Sequence, residues 1–328
     1  RRRPVDEFDL IERLIAPLAT EPGARGLTDD GVVFTPGPGM DLAMTKDMLA
    51  EGVHFLPDDP PDLIARKALR TNLSDLAAMG ARPFGYLLGL ASDGTRDEFW
   101  LEKFVEGLAE DQARYGISLL GGDTIVATKG IMTLSITAVG EVPKGLSLAR
   151  DRARHGDLIA VTGTIGDAAL GLRVRRQGLL RLPGHHRNHL ETRYRLPLPR
   201  VDFGQAILGK ANAAIDISDG LLADAGHIAR RSGLAIDLLA ADVPFSEAAT
   251  ALVAADPDLR LTTMVGGDDY ELLVAVPPDH IDAVRQAAQA TNTNLTVVGR
   301  CKEGRGVRLL DERGTNLADS APGWRHHL

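Results

Sequence analysis

Aspartates beside small or polar residues recur along this sequence where predicted strands end, and most of them neighbour a glycine. A glycine there lets the backbone approach a ligand closely, and carboxylates supply the hard oxygen ligands that Mg²⁺ prefers. Each motif alone is also compatible with an ordinary turn, because aspartate, asparagine, serine and glycine are turn formers. The six segments are Thr28-Asp29-Asp30-Gly31, Thr45-Lys46-Asp47, Asn72-Leu73-Ser74-Asp75, Gly121-Gly122-Asp123-Thr124, Asp216-Ile217-Ser218-Asp219-Gly220 and Gly266-Gly267-Asp268-Asp269.

Two of these segments are difficult to explain as turns. Asp75 lies within an apolar helical run, where aspartate is a poor helix former, and Asp216 and Asp219 lie in a segment typical of a buried strand. If such carboxylates converge, two of them about 5 Å apart repel by roughly 3 kcal/mol at an effective dielectric constant of about 20. A cluster therefore needs cations or raised pKa values, and divalent metals that bridge to a polyphosphate meet that need most simply.

The predicted secondary structure divides the chain into two halves. Residues 1–145 alternate strands and helices, with a helix predicted over 61–79 and a capping box at Thr95 and Glu98 ahead of a second helix. A polar, arginine-bearing stretch marks the boundary, and residues 146–328 again mix strands with helices. The pattern predicts an α+β fold of two domains, 1–145 and 146–328, with mixed sheets flanked by helices.

Composition excludes several classes of protein. Lys plus Arg is 37 and Asp plus Glu is 45, and this net charge of -8 argues against a nucleic-acid binder. The single cysteine, Cys301, excludes an internal disulfide and a cysteine-based zinc cluster, and it suggests a reducing compartment. No apolar run approaches the roughly 20 residues of a membrane span, and no apolar region follows the arginines at 1–3. We therefore expect a cytoplasmic protein without membrane contact.

Three further segments bear on chemistry. The glycine-bearing segment at 161–168 follows a predicted strand and opens a helix, so it is either a structural turn or a phosphate loop, although it lacks the Walker lysine. The histidine-bearing segment at 181–200 has no zinc-binding spacing and is predicted to be a solvated loop. His54, which follows the Asp47 strand, is either a functional residue or a surface histidine.

As an ordered set, the six acidic segments together with His54 and Tyr270-Glu271-Leu272 resemble the thiamine-monophosphate kinase family. The resemblance runs from about Phe8 to Trp324. It implies two α+β domains like those of aminoimidazole ribonucleotide synthetase, and a homodimer paired through the N-terminal domains. It also implies direct in-line transfer of a phosphoryl group from ATP to thiamine monophosphate, which forms thiamine diphosphate with the help of several Mg²⁺ ions.

The resemblance also implies the residues of the site, each by its matching motif. No side chain would act as a catalytic acid or base, because metal-assisted positioning would supply the rate. The implied metal ligands are Asp30, Thr45, Asp47, Asp75, Asp123, Asp216 and Asp219, the ATP contacts are Gly122, Asp123, Arg150 and Ser218, and the substrate contacts are His54, Asp268 and Trp324.

Three residues depart from the family pattern. Thr28 replaces a flexible glycine, and Lys46 stands where a small hydroxyl residue is common, so its ammonium either approaches a phosphate or points to solvent. Asp268 replaces a glutamate and shortens the reach to substrate by one methylene. None of these changes removes an implied carboxylate ligand. An ATP-dependent ligase like aminoimidazole ribonucleotide synthetase and a non-catalytic nucleotide-binding regulator remain as alternatives.

Overall fold

The computed structural model describes residues 11–126, 130–178 and 182–317, which fall into two compact units. Unit 1 is formed from Arg1–Leu76 and Arg82–Gly145, and unit 2 from Ala77–Ala81 and Leu146–Leu328. Within the described ranges, each helix is too short or too polar to cross a membrane.

Unit 1 begins with short helical turns and continues with a four-stranded sheet and two long helices. The turns are Ile11–Ile15, Ala16–Leu18 and Pro22–Leu27, followed by β1 (Met40–Ala50), α1 (Pro61–Ala78), β2 (Arg82–Ser92), α2 (Glu98–Tyr115), β3 (Ser118–Val126) and β4 (Thr133–Pro143).

The sheet of unit 1 has the strand order β1-β4-β2-β3, in which β4 is antiparallel to both of its neighbours and β2 is parallel to β3. Leu134, Ile136 and Ala138 alternate along β4 and are buried, so one face of the sheet contributes to the core. A buried ion pair joins α1 to α2, where Arg70 Nε lies 2.6 Å from Asp111 Oδ2.

The opposite face of this sheet, called the outer face here, carries exposed apolar side chains. Successive residues of a strand point to opposite faces, so alternate residues of β1 share this side. Met44 on β1 is 66% exposed and Ile125 on β3 is 55% exposed. Exposed apolar side chains that share one face can mark an interaction surface. The apolar members of the outer face are Leu42, Met44, Met48, Leu87 and Ile125.

Unit 2 contains the remaining strands and helices, which alternate along the chain. They are β5 (Leu158–Thr162), α3 (Asp167–Gln177), α4 (Gly184–Arg195), α5 (Val201–Ala206), β6 (Ala213–Asp216), α6 (Leu221–Ser232), β7 (Ala235–Leu239), α7 (Glu247–Ala255), α8 (Leu259–Val265), β8 (Leu272–Val276), a helical turn at Pro278–His280, α9 (Ile281–Ala290), β9 (Leu295–Lys302) and β10 (Gly306–Leu310).

The sheet of unit 2 has the order β10-β7-β9-β5-β8-β6, in which only the β7–β10 pair of these strands is parallel. Ile159 on β5, Ile215 on the edge strand β6 and Leu273 on β8 are fully or almost fully buried in one apolar core. Both units thus combine a mixed sheet with helices, and the predicted α+β fold class is confirmed. β6 and β8 are neighbours, which brings together the loops that follow and precede them.

Candidate functional site

The first group of predicted ligands lies between β1 and α1 in unit 1. Thr45 and Asp47 are two residues apart on β1 and point to the same side. The Thr45 hydroxyl donates to the Asp75 carboxylate on α1, and the Asp47 N–H donates to Asn72 Oδ1 over 3.2 Å. We call Thr45, Asp47 and Asp75 the β1–α1 group. Its donor set consists of hydroxyl and carboxylate oxygens, which fits Mg²⁺.

The electrostatics of this group favour a bound cation. Burial raises the pKa of the Asp47 carboxyl group above its ordinary value, and a hydrogen bond from Thr71 and the charge of Lys46 offset this only in part. A raised pKa means that the protein alone stabilises the negative charge poorly. Because the neighbouring groups of the protein stabilise the negative charge of Asp47 only in part, a cation beside this carboxylate would be bound favourably.

Lys46 points away from this group. Its ammonium donates to Ser135 on β4, and Lys46 pairs in register with Thr137 on the same strand. The side chain is exposed on the outer face of the sheet, because it alternates with Thr45 and Asp47 along β1. Of the two expectations for Lys46, the exposed position is the one found.

His54 is held in a tight turn directly after β1. The Ala50 N–H donates to His54 Nδ1 over 3.0 Å, so a neutral ring carries its proton on Nε2. The ammonium of buried Lys67 on α1 donates to the His54 carbonyl over 2.8 Å. These two contacts fix both the backbone and the ring of His54, as a binding residue requires.

The other predicted residues of unit 1 are not brought into the β1–α1 group. Asp30 is exposed before β1, and its N–H donates to Asp29 Oδ1 over 3.0 Å. Asp123 on β3 pairs with Gly89, which pairs with Ser135, so Asp123 shares the outer face with Ser135. Thr45 and Asp47 point to the opposite face. Within unit 1, the sheet therefore separates Asp123 from the β1–α1 group.

Gly122 is required for a close backbone approach rather than for flexibility. A Cβ atom at this position would lie 2.0 Å from the Leu88 carbonyl oxygen on the neighbouring strand. Real Cβ atoms do not approach an oxygen so closely, so every other residue would push β3 away from β2. The glycine before Asp123 is thus explained by the sheet itself.

The second group of predicted ligands lies in unit 2, in the segment 216–220 that follows β6, called the Asp216 loop here. Asp216 is the last residue of β6 and is 3% exposed. The carboxylate of Asp224, in the first turn of α6, turns back to this loop. Its Oδ2 atom accepts the N–H groups of Ser218, Asp219 and Gly220 at 3.0, 3.0 and 3.1 Å.

Asp224 and its neighbours form a group with metal-ligand chemistry. One ligand atom each from Asp219, Asp224 and His227 lie within 4.8 Å of one another. Burial, and secondly the charge of Asp219, raise the pKa of Asp224 to about 7, although three backbone hydrogen bonds oppose the shift. Burial and the charges of Arg230 and Arg150 lower the pKa of His227. The imidazole beside Asp219 is therefore neutral near neutral pH.

A second loop, 266–271, is hydrogen bonded to the Asp216 loop and is called the Asp268 loop here. The Asp268 N–H donates to the Ser218 carbonyl over 2.8 Å, and the Tyr270 N–H donates to the Ile217 carbonyl over 2.8 Å. Asp268 and Tyr270 have φ angles of 71° and 50°, a left-handed conformation that costs free energy in residues other than glycine. These backbone hydrogen bonds hold that conformation in place. The two loops thus bring Asp216, Ser218, Asp219 and Asp268 together.

Asp269 anchors the Asp268 loop to the start of α3. Its fully buried carboxylate accepts the Gly166 N–H over 2.6 Å and the Ala168 N–H over 3.3 Å. Burial raises the pKa of Asp269 well above its ordinary value, although these backbone donors and Arg193 oppose the shift. Because a carboxylate of the chain already binds the amides at this helix N-terminus, the segment 161–168 is a structural turn rather than a phosphate loop.

Glu271, at the end of the same loop, lies in a buried network of charges. Arg200 donates to both carboxylate oxygens, at 2.6 and 2.7 Å, and Arg193 Nη2 donates over 2.9 Å. The Thr162 hydroxyl completes the network at 2.6 Å. A buried carboxylate requires such pairing, so the network holds the end of the Asp268 loop against β5 and α4.

The prediction of a solvated loop over 181–200 is wrong, because Gly184–Arg195 forms α4. Leu190, Arg193 and Tyr194 are buried along this helix, and His189 Nε2 lies 3.0 Å from Asp167 Oδ2. The other residues of this helix are mostly polar and include three histidines, a composition that is also typical of a solvated loop. Its role is to support α3 and the Asp268 loop.

Two predicted binding residues remain. Arg150 is exposed, and its carbonyl accepts the Ser232 hydroxyl over 3.1 Å at the end of α6. Its charge contributes to the lowered pKa of His227, so Arg150 lies near this residue of α6. Trp324 lies outside the residues that the structure describes. Sequence reasoning missed Asp224 and Asp269 as supports of the two loops, although Asp269 lies within an acidic motif and Asp224 lies four residues after one.

Known proteins resemble the chain over both units. Residues 28–142 match the family described as AIR synthase related protein, N-terminal domain, and residues 154–312 match AIR synthase related protein, C-terminal domain. The thiamine-monophosphate kinase of Caulobacter vibrioides is 42% identical over 327 residues, covering 98% of this chain and 91% of the relative.

Two solved structures extend the likeness to three dimensions. The crystal structure of thiamine-monophosphate kinase from Stenotrophomonas maltophilia is 40% identical, with a TM-score of 0.84 over 93% of this chain and 96% of the other. The structure of AaThiL complexed with AMPPCP and TMP is 29% identical, with a TM-score of 0.79 over 100% of this chain and 99% of the other.

Proposed function

Because the chain belongs to the thiamine-monophosphate kinase family, we propose that it transfers the γ-phosphoryl group of ATP to thiamine monophosphate and forms thiamine diphosphate, a step of thiamine diphosphate biosynthesis. The observation that carries this proposal is the backbone hydrogen bonding between the Asp216 loop and the Asp268 loop. It joins an acidic motif of the implied metal site to one of the implied substrate site. The complex of AaThiL with AMPPCP and TMP supports the choice of both reactants. We place the reaction in the cytoplasm.

Several Mg²⁺ ions are the proposed cofactor. Bound Mg²⁺ would screen the repulsion between two anionic reactants and stabilise the charge on the transferring group. The oxygen donors of the β1–α1 group and the buried carboxylate of Asp216 have the chemistry that this ion prefers. The residues proposed to hold it are Asp30, Thr45, Asp47, Asp75 and Asp123 of unit 1, and Asp216 and Asp219 of unit 2.

No side chain is needed as a general base in this reaction. The acceptor is a phosphate monoester, whose second pKa of about 6 leaves it mostly ionised at neutral pH. The protein's contribution is therefore to orient the two reactants in line. His54, with its ring fixed by the Ala50 N–H, is suited to donate from Nε2 to an anionic group. We assign substrate contacts to His54, Asp268 and Trp324, and ATP contacts to Gly122, Asp123, Arg150 and Ser218.

We further propose that the chain is a homodimer paired through the outer face of unit 1. Met44 and Met48 are 66% and 57% exposed there, beside the small side chains of β4. Covering exposed apolar side chains with a second copy removes them from water, which favours association. Asp123 lies on the same face and would then be close to the partner subunit.

Product analysis tests the proposed reaction directly. The purified chain is incubated with ATP, Mg²⁺ and thiamine monophosphate, and the thiamine species are separated by chromatography. We expect thiamine diphosphate and ADP in equal amounts, and neither product when EDTA replaces Mg²⁺. If a folded sample binds a slowly hydrolysed ATP analogue but forms no thiamine diphosphate, the kinase assignment is wrong and a nucleotide-binding regulator takes its place.

A further inference from the structure

The hydrogen bonding of the Asp224 carboxylate is not explained by the metal, ATP and substrate contacts proposed above. Its carboxylate is 2% exposed, and a single oxygen, Oδ2, accepts three consecutive backbone N–H groups at 3.0 to 3.1 Å. These N–H groups belong to Ser218, Asp219 and Gly220, which form the turn between β6 and α6. Three hydrogen bonds that converge on one oxygen fix these N–H groups relative to one another, so this oxygen largely determines the path of the turn.

We propose that Asp224 is a positioning residue that holds the Asp216 loop in the conformation in which Asp219 and Ser218 bind metal and nucleotide. This inference rests on the proposed function for the identity of the ligands. Gly220 has a φ angle of 118°, which is open to glycine, and because glycine restricts the backbone little, a constraint from outside the turn is needed to select one conformation. Asp224 supplies that constraint from the first turn of α6, an element fixed by the buried residues Leu221, Ala225 and Ile228.

The hydrogen bonding of Asp224 favours positioning over direct metal binding, because backbone donors occupy its Oδ2 atom. Asp224 Oδ2 accepts three backbone N–H groups, whereas half-buried Asp219, the middle residue of these three, is itself an implied metal ligand. Groups that orient a metal ligand typically change metal affinity by about 10- to 100-fold when they are removed. A direct ligand and a positioning residue also respond differently to loss of charge alone, which provides the test.

Two substitutions separate the two roles. Asp224→Asn keeps an oxygen acceptor and removes the charge, whereas Asp224→Ala removes both. Mn²⁺ binding to the full chain is followed by electron paramagnetic resonance, and the site weakened in Asp216→Asn identifies the ion held by the Asp216 loop. Hydrogen exchange of the amides of Ser218, Asp219 and Gly220 is measured in parallel.

Positioning predicts a graded result. Exchange of the three amides is fastest in Asp224→Ala and intermediate in Asp224→Asn. Affinity for this Mn²⁺ ion falls in the same order, by about 10- to 100-fold for alanine and by less than that range for asparagine. Asp157→Asn is the matched control, because Asp157 is 3% exposed and accepts the Arg154 N–H over 2.8 Å outside both loops. It should leave Mn²⁺ binding unchanged.

Two outcomes would overturn the inference. Equal loss of Mn²⁺ affinity in both Asp224 variants, with protected amides in Asp224→Asn, would identify a direct ligand. Unchanged affinity in both variants would exclude any role at this site. If Asp224→Ala fails to fold, hydrogen exchange in Asp224→Asn alone decides. Faster exchange of the three amides supports positioning, and protected amides contradict it. These readouts need no turnover, so a graded result without thiamine diphosphate formation would reject the kinase assignment and keep the positioning role.

Discussion

Ser218 and Asp268 are joined by a backbone hydrogen bond of 2.8 Å between the Ser218 carbonyl and the Asp268 N–H. The two residues are fifty positions apart in the sequence. Ser218 follows the strand that bears Asp216, and Asp268 precedes the neighbouring strand, so the contact follows from the pairing of β6 with β8. A displacement of either loop must therefore displace the other. This coupling underlies the first prediction.

Gly267→Ala should damage both stability and activity. The new Cβ atom would lie 2.3 Å from the Ser218 carbonyl oxygen, so the two loops must separate. Overpacking of this kind costs typically about 1–3 kcal/mol of the free energy of unfolding. A displacement near 1 Å at reacting groups lowers the rate by about 100-fold. Urea unfolding and steady-state kinetics of thiamine diphosphate formation measure the two effects.

Gly226→Ala is the matched control for this substitution. Gly226 lies within α6, and the nearest atom to its added Cβ would be Val307 Cγ2, at 3.9 Å. Alanine in a helix is favoured over glycine by about 0.5–1 kcal/mol, so this variant should be more stable than the wild type. Equal destabilisation by the two substitutions would contradict the close approach of the loops.

Asp75→Asn and Asp216→Asn should each lower the rate constant kcat by at least about 100-fold, the effect expected for loss of one electrostatic stabiliser of the transition state. The fold should persist, because asparagine keeps the shape of aspartate and an oxygen acceptor for the Thr45 hydroxyl. Circular dichroism checks the fold and chromatography measures the rate. Asp237→Asn, which breaks a surface pair with Arg308, is the control and should keep normal activity. Near-normal rates in Asp75→Asn or Asp216→Asn would reject the metal role.

The Asp167 carboxylate should make stability depend on acidic pH. Burial alone would raise its pKa, but hydrogen bonds from His189, Ser246 and Thr164 outweigh burial and lower the pKa below the ordinary 3.8. The folded state therefore binds this proton more weakly than the unfolded state does. Its contribution to stability is complete above pH 3.8 and is lost as the pH falls through the native pKa.

Urea unfolding of the wild type and of Asp167→Asn between pH 6 and about 2.5 tests this sign. The difference in the free energy of unfolding should be constant at the upper end of this range. It should shrink towards the acidic end, where the wild-type carboxylate is protonated too. A difference that grows as the pH falls would mean that burial outweighs the hydrogen bonds.

Met48→Lys should convert the proposed dimer to a monomer. The charged side chain would stand on β1 at the outer face, where pairing with a second copy would bury it without a partner. Light scattering after size-exclusion chromatography gives the mass. Leu239→Lys, at a position that is 44% exposed in unit 2, should leave the mass unchanged. A monomeric wild type, or a dimeric Met48→Lys variant, would remove the outer face as the interface.

Local sequence patterns predicted the helices and strands in which apolar residues repeat at regular spacing. The helix predicted over 61–79 corresponds to Pro61–Ala78, because proline at its start and Gly80 after its end mark both termini. The predicted cap of the next helix was displaced by two residues. Asp97 rather than Thr95 caps it, by accepting the Trp100 N–H over 2.9 Å. Both residues are good N-caps, and the sequence does not rank them.

Contacts between distant segments could not be predicted in this way. Arg193 on α4 is buried because it pairs with Glu271, 78 positions away, and this pairing makes a polar segment helical. Asp224 was missed for a related reason. An acid in the first turn of a helix is common, and its hydrogen bonds to the N–H groups of Ser218, Asp219 and Gly220 depend on the three-dimensional path of the loop. The acidic motifs were visible in the sequence, whereas the residues that hold them were not.

The carboxylate of Asp269 occupies the N-terminus of α3, where it accepts the Gly166 and Ala168 N–H groups. Many nucleotide-binding folds neutralise phosphate with helix amides that are always present. Here those amides are committed to a carboxylate of the chain, so under the proposed function neutralisation depends on ions drawn from solution. With Mg²⁺ as the proposed ion, affinity for nucleotide would vary with free Mg²⁺ through thermodynamic linkage. Magnesium supply would set the output of the reaction even when ATP is abundant.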